Sequence, residues 1–468
     1  MSAVRHWISG IALAAGGLVV ASPSAAQTAI SASDDVNVDT SADTASLEAR
    51  VDALDQKIRI LERLRELAAD SAATAASTRQ SATANAKDGF SLKSADGQYS
   101  LKLRGYAQAD GRFYPSDDVG ATSNNFLLRR ARPILEVTVG RYFGFRIMPD
   151  FAGGQAALLD AYWEGKFDPA FSVRAGKFKP PVGYERLQSA TDVSFAERGL
   201  PTNLAPSRDI GLQVGGEVGV FEYQAGIFNG AADLASPDTD LNDAKDLAAR
   251  VFVQPFKGGA LRGLGVGVSA STGIEEGTPS ATDLAGYRSA SQQTFFRYRS
   301  DALMPDNTVV ADGRRSRLAP HAYFGFGPFG VLGEYTINRQ EVRGGATTAR
   351  LTHTAWQASG SFFLTGEYAG FRSPTPKKPF DLAAGTFGAI ELAARYGELD
   401  IDDDAFPLFA NPTNSASKAR GLGLGVNWHL NKQIKVLVSY EHTTFEGGAE
   451  GGDRASEDFV VTRFQHSF

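Results

Sequence analysis

Arginines and lysines gather in one part of this chain, in a pattern that could handle oxyanions. Between Gly89 and Gln213 there are 16 basic and 13 acidic residues, a local excess of +3 in a chain whose formal net charge is −6. Lys177 and Lys179 lead into a stretch broken by Pro180, Pro181, Pro201 and Pro206, which carries Arg186, Arg198 and Arg208. Proline removes a backbone donor, so this stretch cannot be strand throughout, and a loop of such length is ordinarily functional. Lys102, Arg104, Arg112, Arg130, Arg132, Arg146 and Arg174 are assigned to the polar parity of alternating segments. A guanidinium offers a planar fork of donors to carboxylate or phosphate oxygens, whereas an ammonium acts as a compact point charge. Lining a narrow passage, such groups raise the local anion concentration and exclude cations, and several weak sites in series let the ion leave again. The competing reading is that Glu136, Asp150, Glu185 or Asp209 neutralises some of them and the pairs only brace a wall.

Other chemistries find no support. The chain has no cysteine, which excludes thiol catalysis, zinc ribbons and disulfide scaffolds. His6, His321, His353, His429, His442 and His466 are scattered without ligand spacing, so no metal or other cofactor is expected. No GxSxG-type nucleophile motif accompanies a histidine, and an enzyme is not expected. Gly263, Gly265 and Gly267 lie inside an alternating segment, where close packing explains them.

The elements that must position the cations have period two. Leu101, Leu103, Gly105, Ala107 and Ala109 share one face, and Lys102, Arg104, Tyr106, Gln108 and Asp110 the other. Leu422, Leu424, Val426, Trp428 and Leu430 likewise face away from Asn427 and His429. Apolar-out and polar-in is what lipid outside and water inside require. A membrane admits only helices or closed barrels, because every backbone amide must be satisfied internally, and the chain ends in an alternating aromatic strand, DFVVTRFQHSF. Sixteen strands are predicted, the first near 99–113, the fifth near 170–184, the tenth near 316–327 and the last near 458–468. An even number of that size leaves a lumen wide enough for water. The 50 glycines, 30 phenylalanines and 14 tyrosines suit short strands with aromatic girdles.

Ahead of the strands, Arg5 and His6, the apolar run Ile8 to Val20 and the small residues Ser24-Ala25-Ala26 read as a signal peptide over 1–26. Its removal leaves 46 basic and 53 acidic residues, so there is no global basic field and nucleic acid is not an expected partner. Residues 27–88 form a low-complexity segment in which Leu47, Val51, Leu54, Ile58 and Leu61 recur at steps of four and three, a heptad seam. One such helix is marginal alone, which points to self-association as a trimer. The other reading is a solvated amphipathic helix in a flexible tail. The fold class is therefore all-β: a 16-stranded antiparallel transmembrane β-barrel over 89–468 with an N-terminal periplasmic coiled-coil helix.

The run GKFKPPVGYERLQSATDVSFAERGLPTNLAPSRDIGLQVGG, together with NNFLLRRARPILEVTVGRYFGFRI and AYWEGKFDPAFSVRAGKF, resembles the phosphate-selective porin O/P family. The likeness covers roughly 90–468 and is strongest over 100–230. It implies a homotrimer in the bacterial outer membrane, in contact with its lipid, with each barrel passing small anions such as phosphate, pyrophosphate or polyphosphate through a basic constriction made by the third outer loop. The barrel holds 12 lysines where that family uses a lysine-rich ladder, and arginine stands in their place. An alternative is a structural envelope protein whose N-terminal helix tethers the membrane while the pore is weakly selective.

Overall fold

The computed structural model describes residues 40–78, 81–85, 89–115, 123–240 and 242–468. The expected signal peptide lies outside them. The chain divides into an N-terminal unit, up to Ala73, and the rest. The described residues of that unit belong to the helix α1 (Thr40–Thr78). Leu47, Val51, Leu54, Ile58 and Leu61 are all exposed on it, and the i,i+4 pair Arg59–Asp55 closes at 2.8 Å. A helical apolar stripe is thus present and exposed over the predicted seam.

Sixteen antiparallel strands follow: β1 (Tyr99–Phe113), β2 (Asn125–Val139), β3 (Phe143–Asp150), β4 (Ala157–Asp168), β5 (Phe171–Phe178), β6 (Asp209–Val218), β7 (Phe221–Phe228), β8 (Asp246–Val253), β9 (Leu264–Glu276), β10 (Val310–Phe326), β11 (Phe329–Gly344), β12 (Thr347–Phe363), β13 (Ala389–Asp400), β14 (Ala416–His429), β15 (Ile434–Ala449) and β16 (Glu457–Ser467). Each pairs with the next, and β16 pairs with β1 from Val460↔Phe113 to Ser467↔Tyr106. The sixteen strands close into a barrel. Closure is tight at the seam, where a Cβ on Gly105 would stand 2.8 Å from the Phe468 ring. A short hairpin, Ser81–Asn85 with Gly89–Lys93, continues the sheet alongside the start of β1, with Phe90 opposite Leu103.

The alternation sets the two faces. Leu422, Leu424 and Val426 of β14 are exposed on the outside, while Asn427 and His429 are buried inside. Rings crowd around the short turns, with Phe145 over Trp163 at 4.5 Å and Phe329 over Phe362 at 4.6 Å, as an interfacial girdle requires. Gly267 faces inward where a Cβ would lie 2.6 Å from His321 Nε2, so close packing does account for that glycine.

Several expectations need correction. The fifth strand stops at Phe178, not 184, because Pro180 and Pro181 cannot extend the ladder and a helical turn begins at Tyr184. The tenth starts at Val310, six residues earlier than predicted. One connection at the short-turn end is long, 364–388, and it enters the lumen: the Tyr323 hydroxyl donates to Ala369 O, and Phe371 lies 4.6 Å from Tyr184. The interior is also not polar throughout. Leu200 and Leu204 pack with Tyr287, Phe295 and Phe296 of the connection 277–309 against Val342, Leu351, Ala355, Leu399 and Phe445 of the wall. One flank of the lumen is therefore a dry core.

Candidate permeation site

The third connection at the long-loop end, residues 179–208 (L3), lies between β5 and β6 and folds into the barrel. Strands around most of the barrel hold it. Glu334 on β11 accepts the Tyr184 N–H at 2.5 Å, and Gln357 on β12 donates to the Glu185 carboxylate at 3.0 Å. Arg395 on β13 donates to Glu197 O, Asn427 on β14 to Ser194 O, and Lys435 on β15 to Thr191 O and Val193 O. Arg463 on β16 donates to Ala196 O at 2.5 Å and Gln108 on β1 to Ala190 O at 3.2 Å. Inward polar groups of β11–β16 are thus largely spent on carrying L3. Those of β1–β8 are left to line the open passage.

That passage is a cavity of 1830 Å³ bounded mainly by β1–β8, L3 and the inserted segment at Phe371. Fifteen lysines and arginines line it against six aspartates and glutamates. Strand register stacks the rows: Lys102 stands opposite Glu136, Tyr106 opposite Arg132, and Gln108 opposite Arg130. Ten of the twelve predicted residues are brought to the lining, namely Lys102, Arg104, Arg130, Arg132, Arg146, Arg174, Lys179, Arg186, Arg198 and Arg208.

Their partners divide them. Arg104 grips Glu136 through Nε and Nη2, and Arg146 reaches the same carboxylate at 2.9 Å. Arg174 pairs with Glu164 at 2.6 Å, Arg132 with Asp150 at 2.7 Å, and Arg208 with Asp160 at 3.1 Å. Lys179, Arg186 and Arg198 differ. Lys179 Nζ donates to Leu187 O and Gln188 O, Arg198 to Glu185 O and Gln188 O, and Arg186 to Thr202 O. Among the described residues none of the three has a carboxylate within 4.0 Å, and Arg186 Nε has no acceptor. Burial, then the positive charges of Arg198 and Arg208, push the Lys179 ammonium well below the usual lysine value. An incoming anion acts in the opposite direction on all of these groups.

Two predicted residues do not line the passage. Arg112 is turned into ion pairs with Asp110 and Glu197, at 3.0 and 2.8 Å. Lys177 shares the parity of Val173 and Ala175, not that of Arg174, and is held by Ser236 O and Asp238 of the next long loop. Both are braces. Conversely, Arg129, Arg250, Arg288, Arg372 and Lys432 line the cavity and were missed. Arg129 faces inward beside Arg130 because β2 bulges there, with Gln108 opposite Arg130 and Ala109 opposite Leu128. The adjacent pair of charged residues in a barrel strand was the available signal. Among the described residues, no group of histidines and acids could hold a metal ion.

A closed barrel of 16 antiparallel strands, with a long loop bonded inside its lumen beside a polar passage, defines a porin. Residues 101–468 match the family described as phosphate-selective porin O and P. The chain belongs to that family and is an outer-membrane porin of a bacterium. It is 23% identical over 431 residues to Porin O of Pseudomonas aeruginosa, covering 82% of this chain and 91% of the relative. It is 25% identical over 288 residues to an uncharacterized protein of Caulobacter vibrioides, covering 59% and 56%. Among solved structures it resembles the outer membrane channel DcaP of Acinetobacter baumannii, with a TM-score of 0.50, 14% identity, and coverage of 80% of this chain and 99% of the other.

Proposed function

We propose that this porin is a passive, anion-leaning diffusion channel for small oxyanions of the phosphate, pyrophosphate or polyphosphate type, with L3 as its constriction. The observation that carries the reading is the trio Lys179, Arg186 and Arg198, whose charges meet only neutral carbonyls in the wall of the passage. The excess of basic lining over acidic lining supports the same sign. Such a field concentrates anions where water is scarce, and neutralised neighbours such as Arg104 and Arg132 supply weaker steps on either side. The family's description supports phosphate-type solutes. The exposed stripe on α1 supports a helix that finds its partner in other copies, as a periplasmic trimer stalk. The same stripe also fits the tether reading, in which the helix holds a periplasmic partner.

Planar-bilayer recording in a KCl gradient tests the channel reading. The reversal potential lies on the anion-selective side, and phosphate added to the bath reduces the chloride current. A cation-selective reversal refutes the anion assignment while leaving the barrel intact.

A further inference from the structure

The outer wall of β10–β12 carries arginines that the passage does not use. Alternation buries Arg315, Arg317, Gln340 and His353 inside the barrel, and it turns Arg314, Arg339 and Arg350 outward, where all three are exposed. Arg339 stands opposite Ser316 and Thr352; Glu341, two residues on, stands opposite Arg350. Glu341 accepts Nε and Nη2 of Arg350 at 3.0 and 2.6 Å and the Arg314 backbone N–H at 2.8 Å. The Arg314 guanidinium reaches the Thr272 hydroxyl at 3.3 Å. Among the described residues neither Arg314 nor Arg339 has a carboxylate within 4.0 Å. Three arginines thus share one glutamate, an excess of two positive charges. Further out, Arg343 is matched by Asp312 at 2.6 Å, with Glu276 of β9 opposite Asp312.

Strand geometry sets the level of this patch. Phe329, stacked on Phe362, belongs to the aromatic ring at the short-turn end. Arg339 lies ten residues along the same strand. At ~3.3 Å per residue and a tilt of ~40°, that is about 25 Å, the height of a barrel's apolar band. Below the patch, Leu318, Val331 and Tyr335 are exposed on the lipid-facing side, and Tyr335 stands opposite Trp356, as aromatics near an interface do. Long loops mark the outer side of the membrane, so the arginines stand where the headgroups of the outer leaflet begin. On β14 the outward cations are matched instead, Lys418 by Asp400 at 2.6 Å and Arg420 by Glu398 at 3.5 Å and by Glu446.

We propose that Arg314, Arg339 and Arg350 form a docking site on the outer wall of the barrel for a phosphate-bearing lipid of the outer leaflet, its acyl chains lying along Leu318 and Tyr335. A guanidinium fork suits phosphate oxygens, and the apolar surface directly beneath suits hydrocarbon. A free anion gains nothing from that surface, which is why the occupant is a lipid. The site is separate from the passage and does not depend on which ions the channel prefers.

The test is native mass spectrometry of the full-length porin in detergent, with lipid A, a phosphorylated glycolipid, as the probe. Arg339→Gln weakens binding about fivefold, the equivalent of ~1 kcal/mol for one basic side chain at an anionic membrane surface. Arg314→Gln with Arg339→Gln weakens it about 25-fold, Arg339→Lys stays near the wild-type value, and Lys418→Gln changes nothing. Dephosphorylated lipid A binds the wild-type chain no better than lipid A binds the double variant. Equal binding of the two lipids, or unchanged affinity in the double variant, overturns the proposal. Inorganic phosphate that binds with the same dependence on Arg339 marks a free-anion site and overturns it too, as does a smaller assembly in Arg339→Gln, which would make this face a subunit contact. The reversal potential of Arg339→Gln in a KCl gradient matches that of the wild type; a shift would place Arg339 on the solute path and refute its placement against lipid.

Discussion

Replacing Arg198 by glutamine removes one charge from the constriction and leaves its neighbours in place. Arg198 donates to Glu185 O at 3.0 Å and Gln188 O at 2.8 Å and has no counter-ion within 4.0 Å among the described residues, so no ion pair cancels its charge beside the passage. A unit charge roughly 6 Å from the ion, at an effective dielectric constant of about 40, contributes about 1.4 kcal/mol. Screening with a Debye length of about 10 Å at ~0.1 M salt reduces this to about 0.8 kcal/mol. The anion loses that amount and the cation gains it, so the anion-to-cation permeability ratio falls roughly tenfold. Reversal potentials in a KCl gradient measure the ratio directly. Arg198→Lys should retain selectivity, because it keeps the charge while changing the hydrogen-bond geometry. Lys177→Gln is the matched control. Lys177 does not line the passage and is held by Ser236 O and Asp238, so selectivity should hold. If Arg198→Gln leaves the reversal potential unchanged, or Lys177→Gln moves it more, the constriction has been assigned to the wrong residues.

Three further outcomes are expected. The depressed Lys179 ammonium carries its charge at low pH and loses it as pH rises, so anion selectivity should decline with rising pH well before the ordinary lysine range is reached, and Lys179→Arg should flatten that decline; a rise with pH refutes the assignment. Phe371→Ala removes the ring stacked on Tyr184 at a cost of about 3 kcal/mol, which should free segment 364–388 from the lumen and raise single-channel conductance; an unaltered conductance means the segment is not a narrowing element. Deleting 40–78 should leave conductance and selectivity intact but lower the temperature at which the proposed trimer dissociates in detergent; an unchanged temperature argues for the tether reading of α1.

Much of the barrel was legible because lipid outside and water inside impose one simple rule on every strand. The alternation through Leu422, Leu424 and Val426 places strand β14 and its facing without further information. What the rule cannot reach lies in tertiary placement. Arg112 has the right parity, yet Asp110 and Glu197 consume it. Lys177 precedes the constriction in sequence but belongs to the outward parity and to a different loop. Arg129 breaks the alternation through a bulge. Glu197 and Phe371 sit in connections without periodicity, so only coordinates reveal that one pairs with Arg112 and the other reaches L3. The apolar core of Leu204, Phe295 and Phe296 was invisible for a related reason, since loop residues that pack inside a barrel look like any exposed hydrophobe in sequence.

The split lumen has a consequence for how this channel can change. Side chains on β11–β16 interlock with L3 through shared bonds, so an exchange there shifts the loop and alters every solute at once. Along the opposite arc, β5–β8 present inward groups such as Arg174 and Arg250 that line the passage and are bonded to their own strand neighbours, not to L3. Preference for one solute over another can therefore be retuned by single substitutions on that arc, while the keel formed by the other half stays as it is.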